Sequence, residues 1–427
     1  MIYAADWIVT QNPRREKIRR GAILVRDGRV AAVGPAREIA AAHPGEQVED
    51  FGQAAIFPGL VDSHCHLPMS PLRGLGDDKP LFAWLQEDIF PREARLTQEA
   101  VYEGALLSCR ELARTGCTSF YDMYMLEEGV FAAADETGLR GVLGENVTRF
   151  FPQLGGATRE ALFARMRGNI AAWSGHPRLR AAVCPHAPYT TDPEILRACR
   201  ELCDETGALF GMHLAETQKE TDDCVAEHGL RPVEYCDSLG LLRPDATFFH
   251  CVHVTPDEIA LLRDRGCVAV HNPASNMKLA SGTAPVPAMV RAGLPVALGT
   301  DGPASNNQQN MVREMWLAAL LGKASAGDPS AMTAQMALDM ATLGGAAALH
   351  DPDIGSLEPG KHADFFVLDL AAEPNTTPAH DPVSTLVYAA TGHETRLTAV
   401  SGRPIYRKGA PRPNREGERG GGGALSP

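Results

Sequence analysis

Eight short apolar runs, each followed by a longer segment of helical apolar spacing, constrain this chain more than any other feature. They fall at 59–66, 117–124, 140–147, 179–188, 209–216, 247–254, 268–276 and 296–301. Strands that alternate with helices are joined by crossovers, so they run parallel and are covered by those helices. Eight such units in succession close most simply into an α/β fold, a (β/α)8 barrel of the TIM type. An open, doubly wound sheet is the alternative, but no G-x-G-x-x-G follows the first run, so a dinucleotide site has no support. Helices are predicted at 99–114, 193–205, 256–265 and 284–292 among others. The best marked opens at Thr255-Pro256-Asp257-Glu258, with Thr at the N-cap, Pro at the first helical position and Glu at the third.

The chain is 427 residues long, more than one barrel needs. Short β-type runs stand at 3–10, 22–26 and 30–33, the last two joined by an Asp27-Gly28 hairpin signal. Others stand at 365–368, 385–388 and 397–401, followed by a turn at Gly402-Arg403-Pro404. Neither end holds enough strands for a stable sheet alone. The expected organisation is therefore a small β-sandwich built jointly from 1–56 and 346–409, a barrel over 57–345, and a flexible Pro-, Arg- and Gly-rich tail over 410–427.

A net charge of −13 argues against nucleic acid as a partner, because phosphate binding needs a basic surface. The one basic cluster, Arg14, Arg15, Lys17, Arg19 and Arg20, reads as a solvated loop. No apolar run approaches the roughly 20 residues of a membrane span. The start, Met1-Ile2-Tyr3-Ala4-Ala5-Asp6, has neither the basic nor the long apolar region of a secretory signal. The ten cysteines include no C-x-x-C pair, and Cys65, Cys184, Cys251 and Cys267 lie in apolar runs, as reduced core thiols of a cytoplasmic protein would.

Polar, metal-capable residues sit at the C-terminal ends of the runs: His64 and His66 on the first, His213 and Glu216 on the fifth, His250 on the sixth and Asp301 on the eighth. Strand alternation sends His64 and His66 to the same side. An H-x-H alone is a weak signal in a chain with 14 histidines. Each of the others alone reads equally well as a hydrogen-bonded structural His or a capping Asp. In a barrel, however, these ends share one rim, and strands one and eight adjoin by closure. Three imidazoles and a carboxylate with a water suit zinc or another first-row divalent ion.

The motifs extend further. Phe57-Pro58-Gly59-Leu60-Val61-Asp62-Ser63-His64-Cys65-His66-Leu67-Pro68-Met69 is followed by Leu72-Arg73-Gly74, Trp84-Leu85, Cys184-Pro185-His186-Ala187-Pro188-Tyr189 and His213-Leu214-Ala215-Glu216-Thr217. Then come His250-Cys251-Val252-His253, His271-Asn272-Pro273-Ala274-Ser275-Asn276, Gly299-Thr300-Asp301-Gly302 with Ala304-Ser305-Asn306-Asn307, and Ile354-Gly355-Ser356-Leu357-Glu358-Pro359-Gly360-Lys361-His362-Ala363-Asp364. This string, spanning about residues 3 to 408, resembles the amidohydrolase superfamily and within it the 5-methylthioadenosine/S-adenosylhomocysteine deaminase branch.

The resemblance implies that His64, His66, His213 and Asp301 hold the metal, zinc foremost, with iron or manganese as alternatives. It implies a proton shuttle at Glu216, a water-orienting His250 and a proton-accepting Asp301. Glu93 matches a glutamate that binds ribose hydroxyls, and His186 a substrate-contacting histidine. Related binuclear barrels bridge two ions with a carboxylated Lys at strand four; Cys184-Pro185-His186 has none, so one metal is expected. The implied reaction is hydrolytic deamination of an aminated nitrogen heterocycle, foremost a 6-aminopurine nucleoside: adenosine, 5′-deoxyadenosine, 5′-methylthioadenosine or S-adenosylhomocysteine. The ion would lower the pKa of water toward about 7. The same likeness implies a small-molecule substrate and a homo-oligomer.

One departure bears on the substrate. Relatives that accept S-adenosylhomocysteine carry arginines in and after strand three, where this chain aligns Glu145 and Ala157. Charge reversal there would disfavour that substrate, unless Arg149 or Arg159 substitutes. Two rivals remain: an s-triazine, guanine-like or pterin amino- or chlorohydrolase, for which Glu93 would be idle, and a catalytically silent barrel. Met69 and Leu67 are expected to line an apolar wall, and Trp84 and Phe82 to shield the site or pack the core.

Overall fold

The computed structural model describes residues 1–149 and 158–410. The middle of the chain forms one sheet of eight parallel strands in sequential order. Strands one to eight are Leu60–Cys65, Cys117–Tyr124, Arg140–Val147, Leu179–Pro185, Leu209–Leu214, Ala246–His250, Val268–His271 and Val296–Leu298. Each lies within or almost within its predicted run, and several stop earlier because the last residues turn out into rim loops. Strands two and three are buried along their whole length, one face filling the barrel and the other covered by helices.

The ring closes between strands eight and one, where Asp301 N donates to His64 O at 2.8 Å and Cys65 bridges Asp301. Closure depends on Gly299, since a Cβ there would lie 2.7 Å from both the nitrogen and the oxygen of His64. The helix predicted from Thr255 forms as Pro256–Asp264. Thr255 Oγ1 accepts from Glu258 N at 3.2 Å, and Glu258 Oε2 accepts from Thr255 N at 2.8 Å.

Both termini build a second sheet of eight strands. Its order is Arg403–Arg407, Thr395–Val400, Phe365–Asp369, Ala54–Pro58, Ile2–Val9, Lys17–Arg26 and Arg29–Pro35, with Val48–Asp50 also paired to Ile2–Val9. The sandwich-like core arises within this single sheet: Val25 and Val30 from one end share a cluster with Phe365, Leu397 and Ala399 from the other. A buried ion pair ties the two sheets together, Arg140 Nε to Asp364 Oδ2 at 2.8 Å, and Asp364 Oδ1 also accepts from Ser401 N at 2.7 Å.

Three local expectations fail. Residues 385–388 belong to the helix Pro382–Tyr388, not a strand, because Asp381 Oδ1 accepts from the nitrogens of Val383 and Ser384 and Pro382 opens the first turn. Lys17 to Arg20 lie in the strand Lys17–Arg26 rather than a loop, with Arg19 stacked 4.4 Å above the Trp7 ring. Arg403 and Pro404 start an edge strand, where a proline's missing N–H is tolerated. Residues 411–427 of the expected tail lie outside the described residues. All ten cysteines are buried and unpaired, and no described helix is long and apolar enough to cross a membrane.

Candidate metal centre and substrate cavity

The rim of the barrel gathers the predicted ligands. Ligand-type atoms of His64, His213, His250 and Asp301 all lie within 4.8 Å of one another. His66 joins them through Nε2, 3.1 Å from Asp301 Oδ1, while His64 Nε2 is 3.3 Å from the same oxygen and 3.1 Å from His213 Nε2. Strand geometry explains the convergence. His64 and His66 share one side of strand one, and left-handed backbone at Ala215 (φ 51°), His250 (φ 73°) and Asp301 (φ 62°) turns the chain sharply at the ends of strands five, six and eight.

The surroundings set each imidazole's tautomer. His213 Nδ1 donates to the His186 carbonyl at 2.7 Å, and His66 Nδ1 donates to the Met123 carbonyl. Both rings therefore present an Nε2 lone pair to the cluster. His250 Nδ1 is held by Asn276 Oδ1 at 2.8 Å, which likewise aims Nε2 inward. Burial lowers the His64 pKa to about 3 and that of His213 well below the usual value, whereas at His66 burial is outweighed by the adjoining Asp301 carboxylate, which raises that ring's pKa to about 9. Converging lone pairs, a carboxylate and backbone carbonyls behind the rings are what a divalent first-row ion requires, so the donor set fits one.

Asp301 is fixed on its other oxygen. Ser275 Oγ and Ser305 Oγ donate to Oδ2 at 2.5 and 2.9 Å. Burial opposes its charge, but the adjoining His64 and His66 prevail and hold its pKa well below the usual range. Glu216 Oε2 lies 4.0 Å from His250 Nε2, and its Oε1 accepts from Ser281 Oγ at 3.2 Å. Burial raises the Glu216 pKa, and the nearby Asp301 charge adds to the effect.

A cavity of about 370 Å³ opens over the cluster. It brings together His66, His213, His250, Asp301 and Glu216 with Glu93 and His186, so the seven side chains border one space. His186, half-buried and with its pKa lowered to about 3 by desolvation, shares a 2.9 Å hydrogen bond with Thr190 Oγ1. Met69 and Trp84 line the cavity as expected. Leu67 and Phe82 do not; Leu67 is in the core, and Phe82 packs 5.5 Å from the Tyr189 ring.

Glu145 corrects the charge-reversal expectation. Its carboxylate faces away from the cavity, accepting from Leu126 N at 3.2 Å and Glu127 N at 3.4 Å and pairing with Arg165. The adjacent Asn146, one step along strand three, faces in. Arg149 donates to the Tyr189 carbonyl at 3.3 Å, Arg159 pairs with Asp192 and Glu194, and neither lines the cavity. Ala157 lies outside the described residues.

Little in the local sequence marks the supporting residues. Glu220 receives Ala215 N at 2.9 Å and Glu216 N at 2.7 Å, and Asp62 receives Thr300 N at 2.8 Å and Thr300 Oγ1 at 2.6 Å. Asp62 and Ser275 stood inside recognisable motifs, but nothing local marked Glu220 or Ser281 as partners of Glu216.

The model of the Amidohydrolase family matches residues 55–405. The chain is 51% identical to a 5-methylthioadenosine/S-adenosylhomocysteine deaminase of Desulfovibrio desulfuricans, over 96% of this chain and 92% of that protein. It is 40% identical to a 5′-deoxyadenosine deaminase of Methanothermobacter thermautotrophicus, over 92% and 90%. Among solved structures it resembles a zinc-bound adenosine deaminase of Xanthomonas campestris, with a TM-score of 0.90 and 36% identity over 94% of this chain and 92% of the other.

Proposed function

The chain belongs to the amidohydrolase family, and from that premise we propose that it is a metal-dependent deaminase that releases ammonia from a 6-aminopurine nucleoside. The observation that carries this reading is the placement of Glu216, with its raised pKa, between the imidazole–carboxylate cluster and a cavity that also holds Glu93. Relatives named for nucleoside deamination, one of them 51% identical, support the same class.

His64, His66, His213 and Asp301 would hold a single divalent ion, zinc foremost, in keeping with the zinc of the Xanthomonas structure. When bound, that ion supplies Lewis acidity that makes water nucleophilic near neutral pH. The chain's own groups carry the protons. Asp301, anionic and anchored by two serine hydroxyls, accepts a proton from the attacking water. Glu216 enters protonated and donates to the ring nitrogen beside the amine-bearing carbon. As the carbon–nitrogen bond breaks, the departing amine takes the proton held by Asp301 and leaves as ammonia, Glu216 takes back the remaining proton of the attacking water, and the carbon keeps that oxygen as a carbonyl. His250, steadied by Asn276, orients the water and the developing oxyanion. Glu93 accepts hydrogen bonds from the ribose diol, neutral His186 contacts the base, and Trp84 and Leu85 exclude solvent.

The test is a substrate panel on metal-replete protein, following ammonia release from adenosine, 5′-deoxyadenosine, guanine and s-triazines. Turnover of the adenosine compounds supports the proposal, and turnover confined to triazines or guanine defeats it. Ten buried, unpaired thiols support a cytoplasmic location. The negative net charge supports a small molecule rather than nucleic acid as partner, and family likeness supports a homo-oligomer, which sedimentation would check. The two separate sheets support a division into a barrel at 57–345 and a terminal β domain from 1–56 with 346–409.

A further inference from the structure

We infer that the cavity selects adenosine-type nucleosides whose 5′ substituent bears no carboxylate, with Asn146 as the strand-three residue that meets this substituent. The inference rests on the nucleoside reading and narrows it. With the diol at Glu93, the 5′ group extends along the segment that carries Glu93. Its earlier turns line the same cavity with Leu81, Leu85 and Ile89. Asn146 and Thr148, alternate residues running off strand three, contribute neutral polar groups to the lining.

The described side chains around the cavity offer no guanidinium or ammonium group. The only acidic or basic side chains besides imidazoles that border the cavity among the described residues are Glu93, Glu216 and Asp301, all carboxylates, and no Lys or Arg borders it. Asn146 is only 7% exposed, and its Oδ1 is buried without a hydrogen-bond partner among the described residues. A neutral amide so placed can serve a hydroxyl or flank a thioether, but it leaves the charge of a carboxylate uncompensated. An amino-acid tail entering here would lose water around its carboxylate and gain no Lys or Arg partner among the described residues.

Steady-state kcat/KM on metal-replete enzyme tests this with four nucleosides: 5′-deoxyadenosine, 5′-methylthioadenosine, S-adenosylhomocysteine and its decarboxylated analogue, 5′-S-(3-aminopropyl)-5′-thioadenosine. The first two should exceed S-adenosylhomocysteine by about 10²-fold, the scale of an uncompensated buried charge. The decarboxylated analogue should recover most of that loss, which separates charge from length. Asn146→Arg should raise the S-adenosylhomocysteine to methylthioadenosine ratio by about tenfold or more, a gain equivalent to one ion pair. Equal kcat/KM for S-adenosylhomocysteine and methylthioadenosine overturns the inference while leaving the deaminase reading intact. So does a decarboxylated analogue as poor as its parent. No turnover of any adenosine nucleoside overturns both.

Discussion

Glu216 and Glu93 are both buried carboxylates in one cavity, yet their neighbours fit them for different tasks. Glu216 sits near His250 with a hydroxyl donor at Ser281, so it can hold a proton and release it close to the cluster. Glu216→Gln keeps the volume and removes the exchangeable proton. It should lower kcat by about 10²-fold or more with metal content unchanged by elemental analysis. Near-parental turnover would contradict the shuttle role. Glu93 lies on a different wall, and burial raises its pKa as well. Glu93→Ala should raise KM for adenosine far more than it lowers kcat, and it should leave 2′,3′-dideoxyadenosine unaffected. An equal loss for both nucleosides would count against a diol contact.

At the scale of elements, the strand ends adopt costly backbone conformations, and buried carboxylates on adjoining segments hold them there. Glu220 satisfies the nitrogens of Ala215 and Glu216 just past strand five. Glu220→Ala would leave both unmet and should cost about 1–3 kcal/mol in urea unfolding. Glu314, on the helix Met311–Ala326, accepts from Asn306 Nδ2 at 2.9 Å and Ala274 N at 3.2 Å, and burial raises its pKa to about 8. Its folded pKa exceeds the ordinary 4.5, so the folded state binds this proton more tightly than the unfolded chain does. That stabilisation is complete below about pH 4.5 and is lost as pH rises through about 8. Glu314→Gln removes the titration, so the parent should lose urea stability relative to the variant between these limits. Parallel pH curves would refute the assignment.

For the whole molecule, one buried ion pair and one cluster hold the parts together. Asp364→Asn leaves the Arg140 guanidinium buried beside a neutral amide, with an expected cost of about 3–5 kcal/mol in urea unfolding at saturating metal. A change within 0.5 kcal/mol would show that Arg140 finds other partners. Chelation should lower the melting temperature and added zinc restore it, because an ion bound only by the folded state stabilises that state. His64→Ala should abolish this response to chelator, and an unchanged response would place the ion elsewhere.

The barrel was legible because its signal is local and repeated. Eight apolar runs, the alternation of His64 and His66 and the Thr255 capping box are all written in neighbouring residues. The helix Pro382–Tyr388 was misread because Val383, Leu386 and Val387 are β-favouring or apolar, and an N-cap outweighed that preference. Glu145 and Asn146 show the limit more sharply: a one-residue step along a strand exchanges the solvent of a cavity for the grip of a helix terminus, and no string of letters states which face is which. The amino-acid order alone determined the periodicity, the ligand types and their positions at strand ends. Tertiary closure decided which lone pairs converge, which serines and glutamates anchor them, and which side of strand three meets the substrate, since contacts between residues over two hundred positions apart exist only once the ring has shut.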